Sequence, residues 1–462
     1  MRRGTLLCFI IFQNLFTSVY AQLLDSAALE KQKFYTSYED AMNEPLKVYR
    51  LSIQNPGYVP YNIDTLKNLQ SLTLYGNDWD HGLYMLPASI GNLENLQELN
   101  IYNTDLQTLP AEIRCLQNLK TIDCNPLVSL PDEIGALKNL ENLKLYDIEN
   151  IPPSFSNLTK LKKFSISKTK NIPANNYLEQ LSTSPRTLVK ALNPALFTNV
   201  KELIVLPNSD YYEVDFDMDS VSKAVEQMGK FPQLTKLDLT KLSLNDQVWS
   251  SVVKIKNLES LRLDYYNRVP VKINSLQKLK KLRFSADSAN CVAVCKLPQL
   301  EEIEIPHLEK EIAKLTRLKK ITIIQSEEYP GRLGRRVSTN IATMAKLPQL
   351  EEVNGFNMYL SDLPKVLTEL KSLKRLDLSA TQDLFADSTM HAIEIAFEEI
   401  SRHPQLEEVT ISWIGALDQF SKLQTLKKLI IKYYEFEKPF TENDKLKLSL
   451  LLPKCTIQYK TY

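Results

Sequence analysis

Leu109-Pro110-Ala111-Glu112-Ile113, followed by Leu116-Gln117-Asn118-Leu119 and then by Ile122 and Cys124, sets the pattern that the rest of the chain repeats. The same spacing of apolar positions appears upstream as Leu66, Leu69, Leu72 and Leu74, then as Leu93, Leu96, Leu99 and Ile101. Downstream it returns as Leu137, Leu140, Leu143 and Leu145, then as Leu158, Leu161, Phe164 and Ile166. From Leu66 to Leu93, Leu116, Leu137 and Leu158 the steps are 27, 23, 21 and 21 residues. After a break the spacing resumes at Phe231, Ile255, Leu276, Leu297, Leu315, Leu347, Leu370 and Leu423, with weaker copies around Val200 and Leu406. Counting the weak copies gives about fifteen repeats, and a fixed period of this length signals a stacked solenoid.

The spacing carries its own physics. Two apolar residues one position apart, such as Leu72 and Leu74, point to the same side of a short strand, and the residues between them point to the other. One such strand cannot bury its apolar side alone, but a stack of them forms a parallel sheet that shares an interior with the returning segments. Leu86-Pro87, Leu109-Pro110, Leu130-Pro131, Ile151-Pro152 and Ile172-Pro173 mark where each strand gives way to its return, since proline offers no amide to the ladder.

The Leu-Pro-Ala-Glu-Ile and Leu-Gln-Asn-Leu segments resemble the leucine-rich-repeat superfamily over nearly all of the chain, most closely its secreted bacterial members. That resemblance implies an α/β solenoid, with a curved parallel β-sheet on the concave face and loops and short helices on the convex face. It also implies contact with a protein or glycan through the concave β face, without chemistry or cofactor. The family's capping asparagine appears as Asn77, but Thr104, Leu127 and Ile148 stand at the matching positions, so irregular loops are expected there.

Arg2 and Arg3, the apolar run Leu6–Phe12 and Ser18-Val19-Tyr20-Ala21 read as a signal peptide over residues 1–21, cleaved after Ala21 and leading to the periplasm, cell surface or medium. No later stretch reaches the length of a membrane span. Without residues 1–21 the chain holds 54 basic and 55 acidic residues, a balance that argues against a nucleic-acid partner. Five cysteines remain, Cys115, Cys124, Cys291, Cys295 and Cys455, an odd set in which Cys124 replaces a core leucine. An N-terminal cap and first strand are expected over 22–65, a regular block over 66–173, an irregular repeat with a helical insertion over 174–230, a second block over 231–440 and a C-terminal cap over 441–462. Helical insertions are expected at Ser220–Met228, Ile341–Lys346 and Thr389–Ser401, while Ala174–Asn199 shows no clear period.

Asp215, Asp217, Asp219 and Glu226 imitate a calcium loop, but Ser220 stands where the loop requires glycine, so no metal is expected. His81, His307, His391 and His403 fall in separate repeats, and no nucleophile elbow or phosphate loop accompanies them, which argues for a non-catalytic scaffold. The sharper candidate is a line of outward aromatic residues: Tyr75, Tyr102 and Tyr146 share one strand position, with Asn125 between the last two. Tyrosine combines a large contact area with a polar tip and suits recognition, although it also simply favours strands. In the second block the outward positions are charged and alternate in sign, as in Lys281, Arg283, Glu302 and Glu304, which reads as mutual pairing. Two rival readings stand beside a secreted binding scaffold: a self-associating envelope protein, and an intracellular regulator should the leader be unused. The sequence does not set the oligomeric state.

Overall fold

A computed structural model describes residues 23–76, 82–125, 127–206, 218–264, 266–324, 342–355, 363–379, 390–413, 415, 417–433 and 440–461. The expected signal peptide, Asn77, His81, Asp215 and Asp217 lie outside the described residues. The chain forms two compact units, Met1–Leu234 and Thr235–Tyr462.

The N-terminal unit stacks parallel strands β1 (Phe34–Tyr35), β2 (Arg50–Gln54), β3 (Ser71–Tyr75), β4 (Glu98–Tyr102), β5 (Thr121–Asn125), β6 (Asn142–Lys144), β7 (Lys163–Ile166), β8 (Gln180–Thr183) and β9 (Glu202–Val205). Register follows the repeat without slippage: Leu51 sits beside Leu72, Leu72 beside Leu99 and Leu99 beside Ile122. A slip of one residue would turn every leucine to the opposite face, so the apolar pattern and the pairing enforce each other. Leu66, Leu69, Leu72 and Leu74 are all buried, and their counterparts in the following repeats are buried as well.

Pro87, Pro110, Pro131 and Pro152 hold extended backbone and each precedes a five-residue 3₁₀ turn, Ala88–Asn92, Ala111–Cys115, Asp132–Ala136 and Pro153–Asn157. The turns bury Ile90, Ile113, Ile134 and Phe155 beneath the strands. They stack closely enough that a Cβ on Gly91 would lie 2.7 Å from the Glu112 carbonyl oxygen, and one on Gly135 would lie 2.5 Å from that of Ser154.

An amide column ties neighbouring repeats together. Asn95, Asn118 and Asn139 each donate Nδ2 to a carbonyl one repeat back, on Lys67, Glu94 and Gln117, at 2.8, 2.9 and 2.7 Å. Asn68 and Asn199 do the same to Leu46 and Asn176. At the positions where the sequence lacks the expected asparagine, Leu127 and Ile148 are buried in apolar packing, and Thr104 is buried with its hydroxyl unpartnered.

Ala174–Asn199, which shows no clear period in the sequence, carries β8 in register with β7 and β9. The period is hidden because polar residues fill two of its apolar places. Asn175 is buried and donates Nδ2 to the Phe155 and Leu158 carbonyls, and Thr183 is buried where a leucine would stand. A short helix follows at Pro185–Lys190, capped by the Ser184 hydroxyl.

The C-terminal unit continues the plan with parallel strands β10 (Lys236–Leu239), β11 (Ser260–Leu263), β12 (Lys281–Arg283), β13 (Glu302–Ile305), β14 (Lys320–Ile323), β15 (Glu352–Asn354), β16 (Arg375–Asp377), β17 (Glu408–Ser412), β18 (Lys428–Tyr433) and β19 (Thr456–Thr461). Several of its returns are α-helical. Met218–Met228, at the end of the N-terminal unit, and Met390–Arg402 fall where insertions are expected, and residues 342–344 are helical too. Asp246–Val252, Ser288–Val294 and Leu363–Glu369 are further helices, with no counterpart among the expected insertions. The first two are fixed locally: Asn245 and Asp287 accept the Val248 and Asn290 amides and cap the helix starts. Within residues 22–65 and 441–462 lie the helix Tyr38–Asn43, with Ser37 at its N-cap, and the helix Glu442–Leu451, which opens on a reciprocal Thr441–Asp444 capping box.

Candidate binding face

Tyr75 and Tyr102 are direct partners across β3 and β4, with ring centroids 6.0 Å apart and planes inclined at 52°. Tyr75 is 41% exposed. Its hydroxyl accepts from Asn103 Nδ2 at 3.2 Å, and Asn103 is held in the left-handed region at φ 52° just beyond the strand. Burial and the neighbouring Asp123 carboxylate push the Tyr102 phenol far above its usual range, so it remains a neutral donor.

Tyr102 is followed across the ladder by Asn125, and β6 ends at Lys144, so Tyr146 lies two residues past the strand. What joins Tyr146 to the pair is a charged bridge. Lys144 Nζ lies 3.0 Å from Asp123 and 5.3 Å from the centre of the Tyr146 ring, a cation–π approach. The structure therefore gathers Tyr75, Tyr102, Asp123, Lys144 and Tyr146 into one outward cluster. Asp123 and Lys144 are not aromatic, yet they are register partners at one outward position, Asp123 within β5 and Lys144 at the end of β6, and that shared position was their signal.

The N-terminal unit carries one strand-edge column of alternating charge, with Lys162–Glu141 at 3.6 Å and Lys201–Glu179 at 3.9 Å, and the C-terminal unit carries two. One column reads Glu259, Lys280, Glu301, Lys319, Glu351, Lys374, Glu407 and Lys427 along successive repeats. The column beside it reads Lys281, Glu302, Lys320, Glu352, Arg375, Glu408 and Lys428, also alternating. Backbone pairing puts these side chains in line, and the ion pairs form: Lys281–Glu302 at 2.7 Å, Lys320–Glu352 and Arg375–Glu352 at 2.6 Å, and Lys428–Glu408 at 3.1 Å in one column. The other holds Lys319–Glu301 at 3.1 Å, Lys374–Glu351 at 2.8 Å and Lys427–Glu407 at 2.6 Å. Burial pushes the Glu352 carboxyl up, but hydrogen bonds from Lys320, Arg375 and Asn354 outweigh that and hold it below the usual range. Isolated exposed pairs contribute little, whereas Glu352, held by both Lys320 and Arg375, shares its ordering cost between two pairs.

His307 and His403 stand apart from this face and from each other. His307 Nε2 lies 3.6 Å from Glu309. His403 is buried, with Nε2 3.1 Å from the Leu370 carbonyl and Nδ1 accepting from the Gln405 amide, and burial lowers its basicity. Cys115, Cys124, Cys291, Cys295 and Cys455 are free thiols. Burial pushes the Cys291 thiol up to about 12, away from a reactive thiolate. Among the described residues no group of three or more His, Cys, Asp or Glu side chains could hold a metal ion, and no helix is long and apolar enough to cross a membrane.

Stacked parallel strands, 3₁₀ or helical returns and a recurring leucine spacing define a leucine-rich-repeat fold, a class whose members generally serve as protein-interaction scaffolds. Residues 46–198 match the family profile described as a leucine-rich repeat region. Similar solved structures include a Leptospira interrogans leucine-rich-repeat protein at 24% identity, covering 92% of this chain and 99% of that one, with a TM-score of 0.35. The Listeria monocytogenes internalin InlF is 15% identical, with 94% and 92% covered and a TM-score of 0.27. The functional domain of InlJ from the same organism is 14% identical, with 85% and 75% covered and a TM-score of 0.29. No curated protein matches the chain.

Proposed function

We propose that this chain is an exported, non-catalytic scaffold that binds a protein or glycan partner through the outward strand face of its N-terminal unit, with Tyr75, Tyr102 and Tyr146 at the contact. The observation that carries this reading is the contrast in how the two outward faces are satisfied. Around Tyr75 and Tyr102 the face offers aromatic area with polar tips, the composition enriched where partners bind. The charged columns of the C-terminal unit already pair among themselves, so using them for a partner would cost the pairs they hold. Export rests on the arginine-led apolar segment of residues 1–21.

Photo-crosslinking tests the face. The photoreactive residue p-benzoylphenylalanine, placed at Tyr75, should capture a discrete partner from the native host, while the same residue at Lys281 should not. Equal capture at both positions, or none at Tyr75, would sink the assignment. Mass spectrometry of the expressed protein tests export: a mature start at Gln22 in an exported fraction is expected, and an intact Met1 in the cytosol would move the reading to an intracellular regulator.

A further inference from the structure

A cleft of about 540 Å³ opens on the N-terminal unit between the loops carrying Asp147–Glu149 and Lys168–Lys170 and the helix Pro185–Lys190. Its volume falls in the range of small-ligand and side-chain pockets. The floor is apolar, with Ile148 buried and Val128 53% exposed. Thr169 and Thr187 also line it, but their hydroxyls are committed: Thr169 donates to the Glu149 and Asn171 carbonyls, and Thr187 donates to that of Ser167 at 2.9 Å.

The rim carries four cationic side chains, Lys168, Lys170, Arg186 and Lys190, against two acids, Asp147 and Glu149. Lys170 is engaged by Glu149. Lys168 and Lys190 are exposed and make no ion pair among the described residues. A wall without an aromatic ring or an uncommitted hydroxyl suits a saccharide poorly, because sugars are held by stacking and by dense hydrogen bonding. An apolar floor beneath two unengaged ammonium groups suits an apolar side chain flanked by carboxylates.

We propose that this cleft is a second binding site, independent of the tyrosine face, that takes an acidic peptide segment, with an apolar side chain over Val128 and Ile148 and a carboxylate at Lys168 and Lys190. Lysine presents its charge on a flexible stem, so the site selects for charge and apolar content and is tolerant of exact spacing.

Isothermal titration of the full chain tests this with three probes: an acetylated, amidated Glu-Leu-Asp-Glu peptide, its Lys-Leu-Lys-Lys counterpart and a hyaluronan tetrasaccharide. Only the acidic peptide should bind, and more weakly at high salt. Lys168→Ala combined with Lys190→Ala should weaken it roughly tenfold, on the scale of two exposed charge pairs, with an unchanged circular-dichroism melt. Tyr75→Ala should leave it unchanged, which separates this site from the strand face. Absence of acidic-peptide binding, equal binding of the basic peptide, tetrasaccharide binding in its place, or indifference to the double lysine variant would each overturn the proposal.

Discussion

The N-terminal and C-terminal units bury the same leucine pattern yet bind their repeats together in different ways. In the first, 3₁₀ returns touch so closely that Gly91 and Gly135 face a neighbouring backbone, and an asparagine column crosses from repeat to repeat. In the second, helical returns separate some of the turns, the buried Asn267 and Asn290 still cross between repeats, and two charge columns run along the strand edge where the first unit forms fewer and longer pairs, such as Lys162–Glu141 and Lys201–Glu179. Cohesion drawn from backbone contact leaves outward side chains available for a partner. Cohesion drawn from outward side chains uses them up.

The largest expected effect comes from the close-packed returns. Gly135→Ala forces a methyl against the Ser154 carbonyl and should destabilise the N-terminal unit by about 3 kcal/mol, the scale of overpacking against an unyielding neighbour. Asn274, at the corresponding place in a C-terminal return, is exposed, and Asn274→Ala should change stability by less than about 0.5 kcal/mol. Chemical denaturation followed by hydrogen exchange, which reports each unit separately, compares them; equal costs would erase the distinction.

Next comes a charge reversal. Glu352→Lys puts a cation between Lys320 and Arg375 and should cost the C-terminal unit about 2 kcal/mol, less than for a fully buried pair because the partners remain partly hydrated. Asn142 occupies the same strand position in the N-terminal unit, beside Thr121 and Lys163, and Asn142→Glu should be neutral or stabilising by a few tenths of a kcal/mol. A neutral Glu352→Lys, read by urea midpoint, would reduce the charge columns to decoration.

Smaller still is the response to acid. Glu301, Glu352 and Glu407 are held below the usual carboxylate range by their lysine and arginine partners, so the folded state binds fewer protons than the unfolded chain as pH falls. The stability they contribute is present above the ordinary glutamate value and is lost as pH drops below it. Exchange protection of β13 to β17 should fall in that range before that of β3 to β5.

The smallest change belongs to His403. Its basicity is lowered, so it stays neutral in the fold while the unfolded imidazole takes up a proton below its ordinary value of 6.5. Stability near Leu370 should therefore decline slightly as pH falls below 6.5, and His403→Gln should remove that slope in a pH series of thermal melts. An unchanged slope in the variant would assign it to other groups.

Much of this was legible in the sequence, because burial of a leucine at fixed spacing is the same event in every repeat: Leu72, Leu99, Ile122 and Leu143 all sit where their spacing puts them. The strand β8 was not, since Asn175 and Thr183 do by hydrogen bonding and close fit what leucine does elsewhere. The seven-residue helices at Asp246 and Ser288 are too short to display a period, and only their Asn245 and Asp287 caps announce them. Of the candidate face, Tyr75 and Tyr102 were readable as neighbours from register alone. The bridge from Asp123 through Lys144 to Tyr146 was not, because it joins two different outward positions after the last strand has ended.

The alternating columns also act as a parity check on the number of repeats. Removing residues 301–318, one repeat, would set Lys280 and Lys281 beside Lys319 and Lys320, cation against cation. Removing residues 301–350, two repeats, would set them beside Glu351 and Glu352 and restore the alternation in both columns. Unequal exchange between near-identical repeats is an easy way for a solenoid to lengthen or shorten. In this part of the chain the charge columns favour steps of two, so the signs of a few surface residues bias how the molecule can change its length.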